Sequence, residues 1–174
     1  MLRLKGGDPL TFGRGGEECQ ALAGAGIPFR IVPGITAGAG ALAYAGIPAT
    51  HRDTNQSVLF LTGHDATGDV PDGVDWQKVT TASPVIVMYM AVRNLPKIAN
   101  TMLGHGRDPD EPVAVISNAS LPQQSVHTTT LASAADNPDI AHLPTPALVV
   151  VGRVVDFHES LDWYVKAVRE NAIG

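Results

Sequence analysis

Four short, nearly uninterrupted apolar runs constrain this chain most: Ser57-Val58-Leu59-Phe60-Leu61-Thr62, Pro84-Val85-Ile86-Val87-Met88-Tyr89-Met90, Pro112-Val113-Ala114-Val115-Ile116 and Pro146-Ala147-Leu148-Val149-Val150-Val151. A strand with one wetted face alternates apolar and polar residues, whereas a continuous run marks a strand covered by helices on both faces. A polar Gly/Asp loop separates the first two runs. Leu95, Ile98, Ala99 and Met102 then recur at helical spacing before Gly104 and Gly106. Strand and helix alternate, which predicts an α/β fold. A closing helix is expected over Phe157 to Glu170, with Leu161, Val165 and Val168 on one face.

The first third is richer in turns. Met1-Leu2-Arg3-Leu4 alternates like a strand and meets a loop at Lys5-Gly6-Gly7-Asp8-Pro9. Gly15-Gly16-Glu17-Glu18 opens a helix whose first-turn acids suit the macrodipole, and Gly24 and Gly26 stop it. Pro28-Phe29-Arg30-Ile31-Val32 reads as a further short strand. After Pro33-Gly34, Thr36 is placed to cap a helix of small residues running to Tyr44.

Composition removes several classes. The 174 residues carry 12 Lys+Arg against 17 Asp+Glu, a net charge of −5, which is no nucleic-acid coat. With 44% hydrophobic and 17% charged residues the chain is expected to bury a real core. The single Cys19 permits no internal disulfide, so a cytoplasmic setting is the default. No apolar run approaches the ~18 residues that span a bilayer, and no membrane contact is expected.

Two loops stand out as ligand candidates. Gly6 and Gly7 follow an expected strand, where open α/β sheets place ligands, and two glycines let main-chain groups approach a ligand closely. Asp8 can accept hydrogen bonds from an amine or a ribose. An ordinary turn explains the same letters. Pro33-Gly34-Ile35-Thr36-Ala37 sets free helix N–H groups beside a narrow, small-residue helix, which serves either a ligand or close packing. His51-Arg52-Asp53 and His64-Asp65 match no metal template, so no metal is assigned. Arg14 and Arg52 each lie one loop from a suspected ligand segment. No nucleophile elbow accompanies His51, Asp53 and His64, which weakens a hydrolase reading.

Taken together, Arg3-Leu4-Lys5-Gly6-Gly7-Asp8-Pro9, Phe12-Gly13-Arg14-Gly15-Gly16-Glu17-Glu18, Val32-Pro33-Gly34-Ile35-Thr36-Ala37 and Gly46-Ile47-Pro48-Ala49-Thr50-His51-Arg52-Asp53 closely resemble the uroporphyrinogen-III C-methyltransferases of the tetrapyrrole methylase family. Gly63-His64, Tyr89-Met90 and the segment Pro146 to Val155 keep the family's order, so the resemblance covers essentially the whole chain.

The resemblance implies transfer of methyl groups from S-adenosylmethionine to two pyrrole carbons of uroporphyrinogen III, giving precorrin-2 for sirohaem and cobalamin, with S-adenosylhomocysteine released and no metal. It implies cofactor contacts at Gly6, Gly7, Asp8, Thr11, Thr36, Ala37, Met90 and Ala119. Thr11 stands where Ile is usual in the family, and Ala119 where Gly is usual. Arg14, His51, Arg52 and Tyr89 are the implied substrate-facing residues. No residue is assigned as the base for the departing pyrrole proton. The family's additional N-terminal segment has no counterpart here. The resemblance therefore implies the end of a first α/β domain over 1–53 and a complete second α/β domain with a mixed sheet over 54–174. It also implies a homodimer. The alternative is a non-catalytic fragment that binds a partner chain through its incomplete first domain.

Overall fold

The computed structural model describes residues 1–164 and 167. The apolar runs become β1 (Leu59–Thr62), β2 (Ile86–Tyr89), β3 (Pro112–Ser117) and β5 (Ala147–Val151), joined by β4 (Ser125–Thr130) in a sheet of order β1-β2-β5-β3-β4. β1 and β2 are parallel, while β5 runs antiparallel to both β2 and β3, so β1, β2 and β3 point the same way. The mixed α/β sheet is the expected fold class.

The central strands have no polar face. Ile86 and Met88 of β2, Val113 and Val115 of β3, and Val149 and Val151 of β5 pack on one side. They meet Leu95, Ile98, Ala99 and Met102 of α4 (Leu95–Gly104), Trp76 of α3 (Trp76–Ala82), and Leu131 and Ala134 of α5 (Leu131–Asp136). Val85, Val87 and Tyr89, with Ala114, Ile116, Leu148 and Val150, face the other way. That face is covered by Ala41 and Leu42 of α2 (Ala37–Tyr44) and by Val154 and Val155 of a 3₁₀ turn. The alternation of β2 is thus apolar on both sides, as its sequence requires. β4 was not legible as a strand because it is a polar, Thr-rich edge, half open to water.

Preceding this unit is α1 (Gly15–Gly24), which carries Glu17 and Glu18 in its first turn and stops at the expected glycines. Residues 1–4 and 28–32 do not form strands. A strand is stable only in a ladder, and within the described residues these segments find none. Leu2, Leu4, Phe29, Ile31 and Val32 are accordingly exposed. At the expected closing helix a 3₁₀ turn over Arg153–Phe157 precedes α6 (His158–Leu161), and Tyr164 and Ala167 are helical again, the Ala167 amide donating to the Trp163 carbonyl at 3.0 Å. Val165 and Val168 lie outside the described residues. Among the described residues no helix is long and apolar enough to cross a membrane.

Arg107 fastens the helical layer. Its Nε and one terminal nitrogen bind Glu111, while the terminal nitrogens also donate to the carbonyls of Thr80, Ser83 and Pro84 at 2.7, 2.9 and 3.0 Å. All five guanidinium protons are thus placed, and the Thr80 carbonyl left open at the end of α3 gains a donor. Both side chains are largely buried, at 8% and 12% exposure. Arg107→Met leaves Glu111 uncompensated at a cost of about 3–5 kcal/mol. A thermal melt is expected to fall by roughly 10 °C; an unchanged midpoint contradicts this role.

Candidate functional site

Because β1, β2 and β3 are co-directional, their carboxyl ends share one edge of the sheet, where open α/β folds form ligand crevices. Three connections leave this edge: residues 63–69 after β1, 90–94 after β2 and 118–124 after β3. Met90 has φ 55°, Asn118 φ 50° and Ser120 φ 69°. The other non-glycine residues with positive φ among those described are Phe12 at 52° and Arg14 at 58°, both in the loop before α1. Such conformations cost of order 1–3 kcal/mol each and cluster where a fold constrains a functional loop. The Phe12 ring lies 4.6 Å from that of Tyr89, bringing this loop to the end of β2.

The loop over residues 6–14 is braced by Asp8. One carboxylate oxygen accepts from the Leu10 amide at 2.9 Å and the Thr11 hydroxyl at 3.2 Å, and the other from the Gly34 amide at 3.2 Å. These donors, Gly34 foremost and then Leu10, hold the Asp8 carboxyl below its ordinary pKa. Asp8 therefore ties the Gly6-Gly7 segment to the Pro33–Thr36 turn. The two backbones come so close that a Cβ on Gly34 would lie 2.1 Å from the Gly7 carbonyl oxygen. Gly6 differs: a Cβ there meets nothing within 4 Å, so its small size matters only to something outside the loop.

Tyr89 joins the loops to α2. Its hydroxyl is 2.6 Å from the Thr36 hydroxyl and accepts the Gly38 amide proton at 2.7 Å. Thr36 was expected to cap α2, yet its side chain caps nothing. The capping oxygen comes from β2 instead. Thr36 is partly exposed, Ala37 exposed, and Met90 44% exposed beside them. Ala119 packs against the apolar cluster beneath the sheet. The structure thus brings Gly6, Gly7, Asp8, Thr11, Thr36, Ala37, Tyr89 and Met90 into one neighbourhood, with Ala119 on the next loop of the same edge.

It does not bring His51 and Arg52 there. His51 stacks on Phe157 at 4.3 Å, in the turn that follows β5. The neighbouring Ser57 hydroxyl meets Ser83 at 3.0 Å, before β2 begins. Both contacts lie at the amino end of β2, across the sheet from Met90. The imidazole Nδ1 also accepts the Asp53 amide at 3.3 Å, a local turn. Arg14 is exposed before α1 and pairs with Glu17 at 3.4 Å. Tyr89 is nearly buried with its hydroxyl engaged inside the protein, which leaves its polar end little to offer a substrate.

The model of the tetrapyrrole (corrin/porphyrin) methylases matches residues 1–135. The chain belongs to the tetrapyrrole methylase family. It is 58% identical over 163 residues to a uroporphyrinogen-III C-methyltransferase of Sinorhizobium sp, covering 94% of this chain and 58% of that protein. It is 50% identical over 175 residues to a siroheme synthase of Neisseria meningitidis serogroup C (strain 053442), covering all of this chain and 36% of that one. The chain therefore spans a little over half of the first relative and about a third of the second. In structure it resembles the uroporphyrin-III C-methyltransferase of Thermus thermophilus complexed with S-adenyl homocysteine, with a TM-score of 0.77 and 36% identity, over 88% of this chain and 66% of that one.

Several residues along this sheet edge were not legible in the sequence. Asn94 donates to the carbonyls of Gly63 and Gly68 at 2.9 and 3.0 Å, pinning the loop after β1. Gln124 accepts the Ser120 amide at 2.8 Å and donates to the Tyr44 carbonyl at 3.0 Å, fixing the loop after β3 to the end of α2. Arg93 is exposed on the turn after β2 and forms no ion pair among the described residues. His64, which the sequence had already marked, follows β1 and has a buried Nδ1 with no hydrogen-bond partner among the described residues. For Asn94, Gln124 and Arg93 the only sequence signal was position, in a loop beyond a buried strand.

Because the folded pKa of Asp8 is depressed, its stabilisation is present above the ordinary carboxylate range, near 3.9, and is lost as pH falls through the lower folded value. In an NMR titration the Gly34 and Leu10 amide resonances are expected to move together, with a midpoint below about 3.9. The paired movement disappears in Asp8→Asn. Independent titration of the two amides contradicts the brace.

Proposed function

We propose that this chain carries the cofactor-binding portion of an S-adenosylmethionine-dependent C-methyltransferase acting on uroporphyrinogen III, toward sirohaem or cobalamin in the cytoplasm. The observation that carries the reading is the convergence of four separated segments, around Gly6-Gly7-Asp8, Thr36-Ala37, Met90 and Ala119, on one sheet edge. The 58% identical relative and the solved complex with S-adenyl homocysteine support it. The neighbourhood suits such a group on its own chemistry: Gly6 faces open space, Ala37 adds no bulk, and Met90 offers a polarisable, half-exposed side chain.

The cofactor supplies an electrophilic sulfonium methyl group. The chain's residues bind and orient. Main-chain groups at Gly6 and Gly7 recognise polar parts of the ligand, Thr36 adds a hydroxyl, and Met90 and Ala119 cover its apolar parts. Transfer to an electron-rich carbon neutralises charge and asks mainly for alignment, where held geometry supplies several kcal/mol of the barrier. A wall that excludes water protects the methyl group. Arg14 stands on the same loop, where a guanidinium suits a polycarboxylate.

Gly6→Val tests the loop. A Cβ at Gly6 meets no protein atom within 4 Å, so the variant is expected to melt like the parent. Calorimetric titration with S-adenosylhomocysteine is expected to show micromolar binding for the parent, about −8 kcal/mol, and none for the variant. Equal binding removes the loop from the site.

A second reading has its own observation. Residues 1–35 add no strand to the sheet and expose Leu2, Leu4, Val32 and Ile35 at 84, 79, 67 and 76%. We read 1–53 as the end of one α/β unit and 54–174 as another, with α2 lying against the sheet of the second. The exposed apolar set suits association with another chain, including a second copy. Light scattering is expected to show mass rising with concentration; a concentration-independent monomer counts against association.

A further inference from the structure

We propose that Tyr89 is a positioning residue that makes the Thr36 hydroxyl a committed hydrogen-bond donor to the cofactor, an inference that rests on the cofactor reading above. The phenol oxygen already accepts the Gly38 amide proton at 2.7 Å, and it lies 2.6 Å from the Thr36 oxygen. A phenol has one proton to give. With the Gly38 proton directed at it, the short contact is best satisfied when Tyr89 donates to Thr36. The Thr36 oxygen is then an acceptor within the protein, and its own proton is free for a ligand acceptor in the crevice. The relay runs from the Gly38 amide through Tyr89 to Thr36, each bond polarising the next.

Packing fixes this geometry. The Tyr89 ring packs against both Phe12, at 4.6 Å, and Phe60, at 5.9 Å, so the hydroxyl cannot swing away without disturbing these contacts. Gly38 is obligatory for the same reason, since a Cβ there would stand 2.3 Å from the hydroxyl oxygen. Thr36 is partly exposed while Gly38 and Tyr89 are buried, so the relay starts inside and ends at the protein surface. Met90, next in the chain, turns at φ 55° directly after this anchor. Tyr89 thereby sets the start of α2, the Thr36 proton and the Met90 turn relative to one another, without touching the ligand.

The test is a double-mutant cycle on the full chain, with S-adenosylhomocysteine as probe in a calorimeter and circular dichroism as the check on folding. Tyr89→Phe is expected to weaken binding about tenfold, as is Thr36→Val, the equivalent of about 1.4 kcal/mol. The double variant is expected to be no weaker than Thr36→Val alone, because Tyr89 acts through Thr36. Thr36→Ser, which keeps the hydroxyl, is expected to retain the parent affinity.

Binding by Tyr89→Phe equal to the parent overturns the proposal while leaving the cofactor reading intact. Losses that add fully in the double variant overturn it too, since that is the behaviour of a purely structural residue. A parent that does not bind removes the cofactor reading and this inference with it. One measurement is independent of whether Tyr89→Phe folds: in the parent, the Gly38 amide resonance is expected to shift on saturation with S-adenosylhomocysteine. A Gly38 resonance that stays fixed while Met90 moves overturns the relay.

Discussion

The arrangement depends on three adjacent strands, β2, β5 and β3, that have no face water can wet. A strand apolar on both sides gains its stability only when both sides are covered, at roughly 25 cal/mol per Å² of apolar surface removed from water. That demand places α3, α4 and α5 above the sheet and α2 with the 3₁₀ turn of Arg153–Phe157 below it. Once α2 is drawn under the sheet by Ala41 and Leu42, its first turn comes within reach of the Tyr89 hydroxyl. The neighbourhood of Thr36, Ala37 and Met90 is thus a consequence of how the core is covered.

Much of the fold was legible because that demand is written as continuous apolar runs. The strands follow the runs closely, and every residue marked by helical spacing in α4 is buried. β4 was not legible, since an edge strand needs only one covered face and can be built from Ser, His and Thr. The expected strands over 1–4 and 28–32 fail for the opposite reason. Their residues have the propensity, but propensity measures fit to a neighbouring pleated surface, and no such neighbour lies within the described residues.

Of the candidate site, the loops were legible and the roles of individual atoms were not. Asp8 was noticed as an acceptor for a ligand, but its oxygens accept from Leu10, Thr11 and Gly34, and it works as a brace between two loops. Tyr89 was grouped with substrate contacts, whereas its hydroxyl lies between Thr36 and Gly38. Sequence shows which groups are available. It does not show which of them the fold has already engaged, because the partners that decide it, Gly34 for Asp8 and Thr36 for Tyr89, stand 26 and 53 positions away. His51 and Arg52 illustrate the same limit: adjacency to a motif along the chain says nothing about which end of the sheet a loop occupies.

Electrostatics then favours certain cations over others for a polycarboxylate acceptor. With a net charge of −5 the chain offers no general attraction to an anion, so any attraction is local. Arg52 lies across the sheet from Met90. Lys5 and Arg14 stand on the glycine loop, but each holds a carboxylate, Glu18 at 2.8 Å and Glu17 at 3.4 Å. The two pairs are not equivalent. The Lys5 side chain is 15% exposed, and Glu18, which Arg3 also binds, has its carboxyl pKa lowered chiefly by Lys5. Arg14 and Glu17 are 83% and 61% exposed, the class of pair that contributes ~0–1 kcal/mol and exchanges readily for another carboxylate. Arg14 and Arg93 are therefore the guanidiniums at this edge that can turn to a ligand without dismantling the loop, whereas Lys5 is committed to holding Glu18 and α1 in place.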